Sequence, residues 1–212
     1  LLSIGDDAAA WRTSRGIAIY TTDTMVSGVH FQPRIMSWDD LGWKSLAVNV
    51  SDVIAMGGRP TYAVVTLGLP GEILVKDLEL LYEGMAKRSK HYRFEIVGGD
   101  VVKSPVLFIS VALVGHLTSK QMLTRSKAKL GDQIAVTGHL GCSGAGLRLM
   151  TEKLPMNKHL TTHFLRAHNR PEPNPGIGAL LIASGVQCAM DISDGLISDL
   201  EKICEMSAVG AV

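Results

Sequence analysis

The stretch SWDDLGWKSLAVNVSDVIAMGGRPTYAVVTLGL, residues 37–69, sets the architecture. Ser37 stands before Asp40 at the spacing of a capping box, although Asp is weaker there than Glu or Gln. From Trp38 to Met56 apolar side chains fall on nearly every side: Leu41, Trp43, Leu46, Ala47, Val48, Val50, Val53, Ile54, Ala55 and Met56. A helix that is apolar all round is a buried helix. Gly57-Gly58, with Pro60 two residues on, is a stop signal. Thr61 to Leu69 then reads as a strand closed by Pro70-Gly71.

Outward from this unit the alternation continues. Gly16 to Tyr20 predicts a short buried strand running into Thr21-Thr22-Asp23. Val75 to about His91 predicts an amphipathic helix with Leu78, Leu81, Tyr82 and Met85 on one stripe. Phe94 to Val97 predicts a short strand and Val106 to Val114 a longer one. Strands alternating with long helices indicate an α/β or α+β domain. A boundary near Gly115–Gln121 divides the chain into 1–117 and 118–212. In the second part Asp132–Thr137 and Val186–Ile192 read as strands. Leu147–Lys153, Gly178–Ala183 and Leu196–Met206 read as helices, and Pro155 and Pro171–Pro175 as loops.

Composition narrows the function. The 212 residues are 46% hydrophobic and 19% charged, enough for a core and far from a disordered composition. A net charge of +1, with Lys and Arg scattered, argues against a nucleic-acid footprint. Nucleotides stay open, because cations can neutralise phosphates without basic residues. Cys142, Cys188 and Cys204 form no C-x-x-C pair, which disfavours zinc or a disulfide framework and suits a reduced, cytoplasmic setting. No apolar run approaches the ~20 residues of a membrane span.

The chemistry lies in the aspartates. Seven of twelve fall among small residues: Gly5-Asp6-Asp7, Thr22-Asp23, Ser51-Asp52, Gly99-Asp100 and Asp191-Ile192-Ser193-Asp194-Gly195. Hard divalent cations take such oxygen ligands, and Mg²⁺ combines a few carboxylates with substrate phosphates. Asp52 sits in the buried helix, where an unpaired carboxylate is very costly. It needs a partner or a metal: Asn49 lies one turn earlier on the same face and Lys44 two turns away on about that face, so an ion pair with Lys44 or a feature of the helix C-terminus is the alternative to a metal. Thr21-Thr22-Asp23 reads as a strand end that offers a cation ligand or makes an ordinary turn. Gly98-Gly99-Asp100 reads as a strand-to-loop corner where backbone can approach a phosphate, or as a simple glycine turn. Asp194 or Ser193 could instead cap the helix that follows; that account serves Asp191 poorly. Asp6-Asp7 is a like-charge pair, tolerated in solvent or near cations. Gly138–Gly146 is neither a P-loop nor a dinucleotide fingerprint and is better explained by close packing. Arg125 is a candidate phosphate clamp or a solvated arginine. His30 is a candidate substrate contact or a structural histidine.

In this order the clusters resemble the thiamine-monophosphate kinase family, of the aminoimidazole-ribonucleotide-synthetase-like superfamily. The matching segments are IGDDAA (4–9), TTDTMVSGVHF (21–31), KSLAVNVSDVIAMGGRP (44–60), GGD (98–100), LTRSKAKLGDQIAVTGHLG (123–141) and MDISDGLISDL (190–200). The resemblance implies a two-domain α+β fold: an N-terminal mixed sheet with helices on one face, and a second α/β domain that is C-terminally incomplete. It implies ATP-dependent phosphorylation of thiamine monophosphate to thiamine diphosphate with Mg²⁺. Asp7, Thr21, Thr22, Asp23, Asp52, Asp100, Asp191 and Asp194 match the family's metal positions. Gly99, Asp100, Arg125 and Ser193 match ATP contacts, and His30 a substrate contact. The family also pairs subunits through N-terminal strands into a barrel, so a homodimer is expected. One departure is local: after Asp100 the family usually has Thr-Thr-Arg-Ser, and here it is Val101-Val102-Lys103-Ser104.

The attacking group in such a reaction is a phosphate oxygen, already ionised, so no general base is required and none is evident. Two rivals stand beside the kinase. One is another ATP-using enzyme of the superfamily, a purine-synthesis ring-closing synthetase or selenophosphate synthetase. The other is a non-catalytic nucleotide-binding fragment.

Overall fold

The computed structural model describes residues 2, 4–152 and 154–212. Strands β1 (Ala9–Thr13) and β2 (Gly16–Val26) precede helix α1 (Trp38–Ala55). The Ser37 hydroxyl accepts from the Asp40 amide at 3.1 Å, closing the predicted cap, and Asp39 and Asp40 in the first turn suit the helix dipole. The chain leaves α1 through Gly57 at φ +88 and enters β3 (Arg59–Leu69). Helix α2 (Val75–Tyr92) crosses over to β4 (Glu95–Lys103), and β5 (Phe108–Leu117) completes the sheet.

The strand order is β1-β2-β5-β3-β4. Pairing is antiparallel except between β3 and β4, which the α2 crossover makes parallel. Side chains alternate across the sheet. Ile17, Ile19, Ile109, Val111, Leu113, Val65 and Leu67 are buried beneath the helices. Tyr20, Tyr62 and Val64 lie on the other face, which no helix covers, and are exposed at 41%, 53% and 42%. This is the expected α+β arrangement, with helices on one face of a mixed sheet.

Helices α1 and α2 approach closely. A Cβ on Gly42 would stand 1.9 Å from the Leu81 carbonyl oxygen, and one on Gly84 2.0 Å from that of Asp39. Arg88 of α2 is wholly buried, its guanidinium 4.6 Å from the Trp43 ring centre and 4.2 Å from that of Tyr92. It donates to the Pro171 carbonyl at 2.8 Å, and the Trp43 indole donates to the same oxygen at 3.2 Å.

Beyond residue 117 the chain holds a 3₁₀ turn (Arg125–Lys127) and helices α3 (Cys142–Glu152), α4 (Lys158–Asn169), α5 (Ile177–Ala183) and α6 (Leu196–Ser207). Several sequence expectations change here. Asp132–Thr137 is irregular, not a strand. Val186–Ile192 forms only a bridge between Cys188 and Thr124. A strand must pair its backbone groups, and no other partner reaches these segments among the described residues. The predicted helix over Leu147–Lys153 starts earlier, at Cys142; its last residue lies outside the described residues. Helix α4 had no counterpart in the sequence reading; Asn157 caps it by accepting from the Leu160 amide at 2.9 Å. Gly146 meets the Phe164 carbonyl of α4, where a Cβ would stand at 2.1 Å, so close packing does account for that part of the glycine stretch. Among the described residues no helix is long and apolar enough to cross a membrane.

Candidate active site

The all-round apolar character of α1 breaks where it meets β2. Asn49, Ser51 and Asp52 lie within one turn that faces β2 and the second region, and each is matched there. Thr21 and Asp23, two residues apart on β2, share the helix-covered face. The Thr21 hydroxyl donates to Asp52 Oδ2 at 2.6 Å. The Asp23 amide donates to Asn49 Oδ1 at 3.0 Å. The Ser51 hydroxyl donates to Asp191 Oδ2 at 2.6 Å, tying the second region to α1. The Arg125 side chain donates through Nε to Asp7 Oδ1 at 3.2 Å, with Nη2 on the same oxygen, while its amide donates to Asp6 Oδ1 at 2.6 Å.

Asp7, Asp23, Asp52 and Asp191 therefore converge from four separate segments. Burial pushes the Asp52 carboxyl up to about 8; the Thr21 hydrogen bond opposes this, and Asp23, Asp191 and Asp7 add to it. Burial pushes Asp7 up to about 7 against its bonds to Arg125. Asp23 and Asp191 are also raised, first by burial; Asp191 adds to the rise of Asp23, and the Ser51 hydrogen bond opposes that of Asp191. Four mutually repelling carboxylates share little positive charge. Asp7 Oδ2 is buried with no hydrogen-bond partner. An orphaned carboxylate oxygen among raised carboxyls fits a hard divalent cation, which would supply the missing charge. No three His, Cys, Asp or Glu side chains among the described residues are close enough to form a finished metal cage. A shallow pocket lined by Gly5, Asp6, Asp7, Ala8, Tyr20 and Thr21 opens beside them.

Other predicted residues lie elsewhere. Lys44 is no partner of Asp52: its ammonium is 3.1 Å from His168 Nε2, and burial lowers it to about 8. Thr21-Thr22-Asp23 lies within β2, not at a strand end, and Thr22 points to the uncovered face, donating to the Val111 carbonyl at 2.9 Å. Gly98-Gly99-Asp100 lies within β4, not at a corner. A bulge at Ala63/Val64 accommodates it, and a Cβ on Gly99 would stand 1.8 Å from the Val65 carbonyl oxygen. Asp100 is registered with Thr66, Ser110 and Thr24 on the uncovered face. Three strand spacings, about 14 Å, separate it from β2. Asp194 is exposed and accepts from Lys202 at 2.8 Å. Ser193 lies in the same loop, its side chain exposed. His30 sits in the turn after β2, its Nδ1 accepting from the Val26 amide at 3.0 Å.

Sequence reasoning passed over Ser51 and Asp199. Ser51 carried a signal, standing beside Asp52 where a helix turns it toward a different neighbour. Asp199 carried none beyond being an acidic residue in the first turn of a helix.

The family "AIR synthase related protein, N-terminal domain" matches residues 5–117. Thiamine-monophosphate kinase of Bacillus subtilis (strain 168) is 40% identical over 212 residues, covering 98% of this chain and 65% of that protein.

The chain belongs to the AIR synthase related family.

Two solved structures of the family bear out its fold. AaThiL complexed with AMPPCP and TMP gives a TM-score of 0.89 at 36% identity, over 97% of this chain and 65% of that one. Thiamine monophosphate kinase from Aquifex aeolicus gives 0.86 at 36% identity, over 95% of this chain and 67% of that one. The chain thus spans about 65% of the length of the curated relative from Bacillus subtilis.

Proposed function

We propose that the chain is the nucleotide- and metal-binding part of a kinase that transfers the γ-phosphoryl group of ATP to thiamine monophosphate, giving thiamine diphosphate. The observation that carries this is the convergence of Asp7, Asp23, Asp52 and Asp191, with raised carboxyl pKa values and an orphaned oxygen on Asp7. Asp7, Asp23, Asp52 and Asp191 would hold Mg²⁺, which when bound supplies the charge that neutralises the transferring phosphates. Thr21, Asn49 and Ser51 fix the orientation of this set. Arg125 stands at its mouth as the guanidinium to face phosphate oxygens. His30, beside Asp23, faces the acceptor. No side chain is needed as a base, because the attacking oxygen is already ionised, and catalysis is positioning plus electrostatics.

Residues 1–117 form the metal- and ATP-binding domain in this proposal and 118–212 a second domain. A homodimer is part of it. β1 pairs with only Gly16–Tyr20 of β2, so the outer edge of Thr21–Val26 is free, as is the outer edge of β4. Pairing the two free edges between copies would cover the exposed sheet face. It would also carry Asp100 and Gly99 of one copy toward Asp23 of the other, which gives Asp100 its place at a site it does not reach within one chain. Three free cysteines suit a reducing, cytoplasmic setting.

The test is nucleotide binding with and without Mg²⁺, followed by ATP turnover with and without thiamine monophosphate. Binding that is equally tight in excess chelator sinks the metal reading. Turnover indifferent to thiamine monophosphate favours the other superfamily activities. Mixing Asp52→Asn with Asp100→Asn subunits tests the shared site: a composite site recovers binding in about a quarter of sites, and a site within one chain recovers none.

A further inference from the structure

Asp199 of α6 is a carboxylate that the proposed chemistry does not use, yet it is 1% exposed. Its Oδ2 accepts from the Ser193 amide at 2.9 Å and from the Asp194 amide at 3.0 Å. Its Oδ1 accepts from the Lys202 ammonium at 2.9 Å. These bonds hold the carboxyl below its ordinary range although burial alone would raise it. Helix α6 has no side-chain cap of its own: Gly195, at φ +107, precedes it, and its first turn offers Asp199 in place of a cap. The carboxylate reaches backward over that glycine and binds the two amides of the loop that leads in.

The loop so held is Asp191-Ile192-Ser193-Asp194, which joins the carboxylate cluster at Asp191 through Ser51. With Ser193 and Asp194 fixed by their amides, both side chains are left exposed toward solvent. Lys202 bridges Asp199 and Asp194, so the loop is braced from backbone and side chain together.

We infer that Asp199 is a positioning residue that sets the Asp191–Asp194 loop for a Mg²⁺–nucleotide, acting through the backbone amides of Ser193 and Asp194. The inference rests on the functional proposal above for its ligand. An outer-shell partner of this kind typically governs about 10–100-fold in affinity.

The test compares wild type, Asp199→Ala and the double variant Asp199→Asn with Lys202→Met. Calorimetric titration with a non-hydrolysable ATP analogue and Mg²⁺ gives affinity, hydrogen exchange gives protection of the Ser193 and Asp194 amides, and thermal melting gives stability. Asp199→Ala is expected to lose about 10–100-fold in affinity together with that protection. The double variant keeps an amide oxygen as acceptor and removes the unpaired ammonium, so it is expected to keep the protection and most of the affinity. It also serves if Asp199→Ala does not fold. Unchanged affinity in Asp199→Ala with protection lost would overturn the positioning role. So would weakened binding in the double variant with protection retained, because the charge itself would then matter. Wild type that binds no nucleotide with Mg²⁺ would overturn the functional proposal and the positioning role with it. Protection of the two amides lost only in Asp199→Ala would still show what holds the loop.

Discussion

The two halves of the chain are stabilised in different ways. The buried apolar cluster, from Ala8 to Leu117, lies wholly in the first, where α1 is wedged between the sheet and α2. Among the described residues of the second half, Leu123 is the buried large hydrophobe. Its helices dock through specific contacts: Gly57 and Gly178 with Ile182 and Ile54, Pro171 with Trp43 and Arg88, and Asp191 with Ser51. The first half is a scaffold that supplies carboxylates from rigid elements. The second half delivers Arg125 on a 3₁₀ turn and Asp191 on an irregular segment, both placed by hydrogen bonds. A site at such a junction makes ligand binding and docking one equilibrium.

The sharpest challenge to this contrast is Asp52→Asn. Its carboxyl sits near 8 in the fold, so Asn imitates the protonated form that predominates at neutral pH without metal. The variant should melt at or above the wild-type temperature yet lose at least ~100-fold in Mg²⁺-dependent nucleotide affinity, more than an outer-shell loss. A lower melting temperature with unchanged binding would show that the carboxylate serves the fold instead.

Leu46→Ala, in the centre of α1, should cost about 2–5 kcal/mol of stability by denaturant titration. The corresponding change at half-exposed Leu147 of α3 should stay within about 0.5 kcal/mol. Similar costs at the two positions would erase the contrast between the halves.

A smaller, pH-dependent effect follows from the carboxylates. Asp7 and Asp52 are raised from 3.8 to about 7 and about 8 in the fold. A raised carboxyl binds protons more tightly folded than unfolded, so its contribution is full below the unfolded value and is lost as pH rises through the folded one. Without divalent cations the melting temperature should therefore fall between about pH 4 and 8 from these groups. Mg²⁺ competes with the protons, so the rise in melting temperature it produces should be greater at pH 8.5 than at pH 6, by differential scanning calorimetry. An equal rise at both pH values would detach the metal from these carboxylates.

Legibility followed the same division. The all-round apolar character of Trp38–Met56 and its Gly57-Gly58 stop identified α1 to within a residue, because burial on every side leaves one kind of pattern. Gly98-Gly99 misled for a physical reason: glycines usually end strands, but here the close Val65 carbonyl demands Gly99 inside one, next to a bulge. Asp132–Thr137 alternates like a strand, and alternation cannot report that no partner strand is at hand. The convergence of Asp7, Asp23, Asp52 and Asp191 was foreshadowed by their small neighbours. That Asp100 faces away was not, since it depends on register across three strands. Asp199 stayed hidden because its partners are backbone amides, which every residue but proline possesses.

The Trp43 indole, clasped with Arg88 onto the Pro171 carbonyl, makes the chain self-reporting. Its N–H bond to that carbonyl exists only while the second half is seated on α1 and α2. Undocking would expose that ring to water and shift its emission to longer wavelength. With Trp11 and Trp38 replaced by Phe, fluorescence from this single indole would register the seating of Arg125 and Asp191 in real time, with no label attached.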